Sequence, residues 1–358
     1  MMGVGALNTV RYLIFRALVL AVTTIIAIYL TILIANMGGQ VDEIVKAELL
    51  AAISESVRND PSLKGRDPAF IQSIIMERYN NSLKALGLDK PFYYRSFRYL
   101  WDAITLNLGR AWRLTSNSGS KQVRIIILER LPATILLFTS IQLILFFSGL
   151  FAGLYLSRRY GSKLDKLVVL LSPLSSMPGW FYGIFLIIIF ASTLRILPYG
   201  GMVDAPPPQD PLLYALSVLK HMILPMLSWF IAYFVFNAYS MRTFFLIFSS
   251  EDYVELARAK GLPSRVIERR YILRPAMPPI ITQLALTIIA SWMGAIVTER
   301  IFNWPGIGSL LYTAIAANDP PVVIGIVTIY AYLLAITVFI LEIVYVLIDP
   351  RIRLVGRE

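Results

Sequence analysis

Ser250–Pro263 reads SEDYVELARAKGLP, a short helix with both of its ends written into the chain. Asp252 suits the N-terminal cap, and Glu255, three residues on, completes a capping-box pattern. Gly261 suits the left-handed residue that ends a helix, and Pro263 blocks its continuation. About eight helical residues remain, roughly 12 Å of helix, too short to be stable alone in water. Tyr253, Leu256, Ala257 and Lys260 recur at i, i+3, i+4 and i+7, a stripe whose small members allow close approach by a partner. Apolar stretches flank this helix on both sides, so it reads as a loop helix held at a membrane surface.

Composition sets the class independently. The 358 residues are 57% hydrophobic and only 15% charged, as in an integral membrane protein. The net charge of +11 would suggest nucleic acid only if the basic residues shared a face, and they do not. There is no cysteine, which excludes disulfides, thiolate catalysis and cysteine metal sites, and the single histidine, His221, argues against a histidine-based metal site. No P-loop string occurs, so any ATP is hydrolysed on another subunit. No carboxylate pair or Ser/His/Asp constellation points to catalysis.

Six stretches are long and apolar enough to cross a bilayer, at residues 12–36, 131–156, 167–193, 214–241, 276–298 and 322–347. The first is too long, and lacks the cleavage site, for a removed signal peptide. Basic residues collect in the 157–166 loop (Arg158, Arg159, Lys163, Lys166), in the 242–275 loop, where there are seven, and in the tail (Arg351, Arg353, Arg357). The loops 194–213 and 299–321 carry only Arg195 and Arg300. The positive-inside rule therefore places both termini and the short helix in the cytoplasm. The segment 37–130 is then external. Helical periodicity within VDEIVKAELLAAI and FIQSIIMERY makes it a small helical subdomain, serving as a contact for a substrate-binding protein or as packing.

Several strings resemble one family. Asp252-Tyr253-Val254, Glu255, Ala257-Arg258-Ala259-Lys260-Gly261-Leu262, Arg274, Ala276 and Pro279 are similar to the EAA loop of permease subunits of ATP-binding-cassette (ABC) importers, in the dipeptide/oligopeptide/nickel branch. Leu256 stands where an alanine is usual, and Tyr271 and Pro275 replace a common histidine and asparagine. Leu86 to Pro91, Leu108-Gly109-Arg110, Pro178, Trp180, Gly183, Phe190, Leu197 to Gly201, and His221, Leu224 and Pro225 continue the resemblance. So do Gly294, Val297, Glu299, Phe302, Trp304-Pro305-Gly306, Gly308, Asp319-Pro320, Tyr345, Asp349-Pro350-Arg351 and Arg353. The stretch from Gly39 to about Lys84 is longer than is usual there.

The resemblance implies an all-α, type I importer permease: six transmembrane helices, a cytoplasmic coupling helix and an external helical insertion after the first span. The expected divisions are 1–36 (N-terminal segment and first span), 37–130 (external), 131–349 (five-helix core with the coupling helix at 252–261) and 350–358 (tail). It further implies ATPase coupling through Asp252, Tyr253, Glu255, Leu256, Ala257, Arg258, Ala259, Lys260 and Gly261. Candidate pathway or gate residues are Pro178, Trp180, Glu299, Trp304 and Glu342. Glu342 reads as lining the path or as a cytoplasmic-end residue paired with a neighbouring subunit, and Trp304 as a gate or an interface anchor. His221 reads as a capping or interfacial residue against a proton relay. Expected partners are a homologous second permease, two cytoplasmic ATPases that bind the ATP and magnesium, an extracytoplasmic binding protein and the lipid bilayer, with no metal or cofactor on this chain. Short peptides are the implied cargo, oligosaccharides or a nickel chelate the alternatives. A stand-alone secondary transporter would show internal repeats, and none is visible.

Overall fold

The computed structural model describes residues 2–36, 40–63, 65–291 and 294–348. Gly39, the Asp349-Pro350-Arg351 and Arg353 signature and the tail 350–358 lie outside the described residues. In chain order the helices are α1 (Met2–Asn36), α2 (Gln40–Arg58), α3 (Pro68–Leu86), α4 (Phe92–Ile104), α5 (Val123–Arg158), α6 (Lys163–Leu171) and α7 (Gly179–Leu186). They continue with α8 (Pro211–Ser249), α9 (Asp252–Ala259), α10 (Ser264–Val266), α11 (Arg274–Ser291), α12 (Ile296–Ile301), α13 (Ile307–Ala316) and α14 (Pro320–Ile348). Among the described residues there is no strand, only one isolated bridge between Arg110 and Gln122.

Among the described residues four helices carry apolar segments long enough to cross a membrane, at Val10–Ile34, Val123–Arg158, Pro211–Ser249 and Pro320–Val344. The stretch 276–298, expected as one span, is not among them and falls on two separate helices, α11 and α12. The stretch drawn as one span at 167–193 is instead two helical pieces, Lys163–Ser176 and Gly179–Thr193, meeting at 91°. The break falls at Met177-Pro178, where both residues take extended backbone. Proline supplies no N–H to the preceding turn and disfavours helix in the residue before it, so the chain turns there. The second piece continues from α7 through a π-helical stretch, Ile187–Thr193. Helix ends follow local chemistry elsewhere. The Asp210 carboxylate accepts the N–H groups of Leu212 and Leu213 ahead of Pro211, and Asp67 caps α3 before Gly87 closes it.

The chain divides into two compact units. One comprises Leu18–Ile126 and Ala314–Tyr332. Its core sets Ile28, Ile32 and Ala103 against Tyr99, Leu100, Ile324 and Ala331. Asp319, fully buried, accepts the backbone N–H groups of Trp112, Arg113 and Leu114 at 2.8–3.1 Å. Three amide donors converging on one carboxylate satisfy a charge that burial would otherwise penalise, and they pin the 107–122 loop to the start of α14.

The other unit comprises Met1–Ala17, Ile127–Thr313 and Leu333–Glu358. Its main cluster packs Leu137, Phe138, Ile141 and Leu145 of α5 against Val218 and Met222 of α8 and the fully buried Trp304. Gly149 and Gly153 let α5 and α8 approach closely: a Cβ on Gly149 would stand 2.9 Å from the Asn237 Cβ, and one on Gly153 would stand 2.7 Å from the Arg242 nitrogen. Glycines four apart share a helix face, and this spacing is a known route to tight helix contact in membranes.

Candidate functional site

Between α8 and α11 the chain builds a small cradle around α9. Val254 and Ala257 turn inward onto Ile267, with Leu262, Tyr271 and Ile272 packed around them. Three of the four residues that receive them, Ile267, Tyr271 and Ile272, come from the π-helical stretch Ile267–Leu273 that leads into α11. The C-terminus closes as a Schellman turn: the Gly261 N–H donates to the Arg258 carbonyl at 2.9 Å, and the Leu262 N–H to the Ala257 carbonyl at 3.3 Å. Gly261 has φ +72°, the left-handed value expected of it, with open space where a Cβ would sit. The N-terminus differs from the expected capping box. Glu251, not Asp252, is the cap residue, and its side chain makes no capping bond. Asp252 and Glu255 lie inside the first turn, where their charge favours the positive end of the helix dipole.

The outward face also differs from the stripe read in the sequence. Ala257 is 2% exposed and belongs to the cradle, whereas Leu256 is 57% exposed. Tyr253, Leu256 and Lys260 line the outer side, and Glu255, Arg258 and Ala259 flank them, all exposed. An eight-residue helix thus buries two residues against its own chain and offers two large apolar side chains outward. Two ion pairs brace the surrounding loops: Arg158 at the end of α5 with Glu268, and the buried Arg242 of α8 with Asp165. Arg242 also lies over the Tyr160 ring at 5.0 Å, so the 157–166 loop is fixed to the helix that leads into α9.

The other predicted residues do not meet in one place. Pro178 caps α7 at the bend, and Trp180 beside it is half-buried, edge-on to Phe181. Glu299 is fully buried, its carboxylate accepting the Thr134 hydroxyl at 2.8 Å and the Ser309 N–H at 2.7 Å. Thr134 in turn accepts the Ile307 N–H at 2.7 Å, and the Trp304 indole donates to the Ala133 carbonyl at 2.9 Å. Glu299 and Trp304 therefore fasten the 302–309 turn onto α5. Glu342 accepts the Tyr12 hydroxyl at 2.7 Å and pairs with Arg16, both on α1 of this same chain. His221 is buried, with Nδ1 2.8 Å from the Ser217 carbonyl. Nearby, the Ser217 hydroxyl donates to Asp204 at 2.7 Å and, with Lys220 and His221 adding to it, holds that carboxyl below its ordinary range.

Sequence reading misses a group of uncharged polar residues. Gln142 of α5, Asn237 of α8 and Gln283 with Thr287 of α11 line one open groove of about 420 Å³, with Trp229 and Tyr233 along the same wall. Each of the three helices contributes one amide to that wall, so no single helix stands out as polar. Only the convergence reveals it.

The family described as "binding-protein-dependent transport system inner membrane component" matches residues 149–354. A probable D,D-dipeptide transport system permease protein of Escherichia coli is 32% identical over 294 residues, 78% of this chain and 85% of that protein. A di/tripeptide transport system permease protein of Pseudomonas aeruginosa is 34% identical over 293 residues, 77% of this chain and 85% of that one. A dipeptide transport system permease protein of Lactococcus lactis is 27% identical over 271 residues, 75% of this chain and 84% of it.

Proposed function

Because the chain belongs to the family of binding-protein-dependent transport system inner membrane components, we propose that it is a permease subunit of an ATP-driven importer of short peptides. The observation that carries this reading is α9, a short helix held from behind that presents Tyr253 and Leu256 to a partner. We assign it as the coupling helix, docking on a cytoplasmic ATPase so that closure of the ATPases moves it and switches which way the pathway faces. Around it lie acidic and basic residues in mixture, Glu251, Asp252, Glu255 and Glu268 among seven basic ones in 242–274. Mixed charge orients a partner and selects it more than it binds it, and the apolar pair supplies the binding. The permease itself performs no hydrolysis; partner ATPases bind the ATP and magnesium. A second, homologous permease completes the pathway, and an extracytoplasmic protein delivers the cargo.

The span count under this reading is six. α1, α5, α8 and α14 cross directly, and the bent pair around Pro178 forms the third crossing. α11, at 18 residues or about 27 Å, supplies the fifth, near the roughly 30 Å of a hydrocarbon core. The groove between α5, α8 and α11 is this subunit's half of the pathway. Amides there can exchange hydrogen bonds with any peptide backbone while leaving side chains unread, which suits a pathway fed by a selective binding protein.

Reconstitution tests the whole. This chain with its partner permease, ATPases and binding protein is expected to accumulate di- to oligopeptides in vesicles only with ATP, and Gln142→Leu with Gln283→Leu to lower uptake several-fold while ATPase subunits still co-purify. Uptake by this chain alone, driven by an ion gradient, would sink the importer reading; uptake of oligosaccharides or a nickel chelate in place of peptides would overturn the cargo.

Topology is checked separately. In this cysteine-free chain, a cysteine at Ser56 is expected to react with an impermeant thiol reagent in intact cells, and one at Ser264 only after permeabilisation. The reverse pattern would turn the assigned orientation over.

A further inference from the structure

Helix α4 is amphipathic the wrong way round for water. Arg95 and Ser96 are 6% and 0% exposed, whereas Tyr93, Tyr94, Phe97 and Trp101 are 65%, 68%, 50% and 66% exposed. The four aromatics recur at i, i+1, i+4 and i+8, one continuous face of the helix. Arg95 turns inward to pair with Asp42, to donate to the Lys90 carbonyl at 3.0 Å and to reach the Tyr99 hydroxyl at 3.2 Å. A helix lying against water covers its aromatic rings and leaves its arginine out. Where lipid is the solvent, the charge is what must be covered, and rings with a polar edge collect at the boundary between headgroups and acyl chains.

The packing of α4 puts that face at the right depth. Tyr29 of α1 stacks on Phe97 with ring centroids 5.7 Å apart, and its hydroxyl lies 3.3 Å from the Ser96 hydroxyl. Tyr29 lies about one and a half turns inside the end of the apolar segment Val10–Ile34, roughly 8 Å below it. At the other end of α4, the Tyr332 hydroxyl, near the middle of α14, donates to the Ile104 carbonyl at 2.8 Å. The outward residues of α1 at this level, Ile26, Leu30 and Ile34, are exposed and apolar, so the ring face of α4 continues a surface already facing hydrocarbon.

We propose that α4 is a lipid-facing membrane helix, its Tyr93, Tyr94, Phe97 and Trp101 face seated in the bilayer leaflet at the α4 end of α1 and running from the headgroup–acyl boundary inward. Arg98, exposed on the flank, is long enough to reach lipid phosphates from there. The proposal rests on Val10–Ile34 being a span, but not on the peptide cargo or on the assignment of α9. The segment after the first span is then not wholly a water-facing domain: part of it anchors the outer end of α1 in lipid.

Spin labels on single cysteines test this in the assembled transporter in lipid nanodiscs, with any cysteines of its partners replaced. Labels go at Phe97 and Trp101, at Ile26 as the lipid reference and at Ser56 as the aqueous one. The expected result is that oxygen relaxes the labels at 97, 101 and 26 more than a water-soluble nickel chelate does, with the order reversed at 56. Labels at 97 and 101 that match the one at 56 while 26 keeps its lipid signature would overturn the α4 proposal alone, leaving a water-facing platform. Low collision with both reagents at 97 and 101 would also overturn it, placing the partner permease over that face. An aqueous signature at 26 as well would remove the membrane reading of α1 itself.

Discussion

Replacing both outward anchors of α9, Tyr253→Asp with Leu256→Asp, is expected to abolish ATP-driven uptake while the chain still inserts and folds. Both side chains are exposed in the isolated chain, so the folded subunit loses little when they change. If α9 is the docking helix, the partner covers them, and fully burying one such side chain is worth roughly 1.5–3 kcal/mol. With only 38% and 57% of them left to cover, losing the two amounts to about 1.5–3 kcal/mol, and desolvating two carboxylates in the cleft adds roughly as much again. A hundredfold or greater weakening of ATPase binding follows, since each 1.4 kcal/mol is about tenfold. The readouts are co-elution of the ATPase from detergent, substrate-stimulated ATP turnover and the melting temperature of the permease. Wild-type co-elution and turnover in the double variant would show that α9 is not the docking element. Ala257→Trp serves as a contrast. Its target is the cradle, where added bulk in a filled site costs about 1–3 kcal/mol, so it is expected to lower the melting temperature as well as uptake.

That contrast marks how far the sequence could be read. The C-terminal end of α9 was legible because Gly261 and Pro263 each have a local steric reason to be there. The N-terminal end was not, since Glu251 and Asp252 are adjacent acids and only the backbone decides which one stands outside the helix. Ala257 was placed on the partner-facing stripe for a related reason, although it turns inward. In two turns of helix, Tyr253 and Val254 are both plausible core residues, and the choice depends on Ile267 and Tyr271 arriving from a π-helical stretch no periodicity announces.

Four of the apolar spans were legible because hydropathy sums over twenty residues need no knowledge of neighbours, whereas 276–298 sums as one stretch yet falls on two helices, α11 and α12. The 91° bend at Pro178 was not, because a sum carries no angle, although the proline itself was singled out. Glu299 was singled out as a candidate pathway or gate residue, but its partners, Thr134 on α5 and Ser309 beyond the turn, are matched only in three dimensions. The groove amides were invisible for the same cause: Gln142, Asn237 and Gln283 meet only once three helices are packed. What escapes the sequence here is long-range convergence of single polar groups; what it shows is local chemistry repeated.

Packing between α5 and α8 is where the 157–166 loop and the groove share a support, and it is the second place where a large effect is expected. Gly153→Leu should leave almost no folded subunit, Gly153→Ala a destabilised one, and Gly149→Ala a milder case. A Cβ at 153 meets main chain, the Arg242 nitrogen at 2.7 Å and the Met241 carbonyl carbon at 2.8 Å, which cannot swing aside as a side chain can. At 149 the nearest obstacle is the Asn237 Cβ at 2.9 Å, so the relief needed is smaller. One methyl in a filled contact costs about 1–3 kcal/mol, and a leucine must prise the helices apart. Parting them at Met241 and Arg242 also strains the buried Arg242–Asp165 pair. Separating such a pair leaves each charge short of its partner, a loss of about 3–5 kcal/mol when one side is removed outright. Together these approach the whole stability of a typical domain, about 5–15 kcal/mol. Melting temperature and the monodisperse fraction on gel filtration in detergent should fall in the order Gly149→Ala, Gly153→Ala, Gly153→Leu. A Gly153→Leu chain that elutes and melts like the parent would mean α5 and α8 do not touch there, and the groove built on their contact would lose its wall.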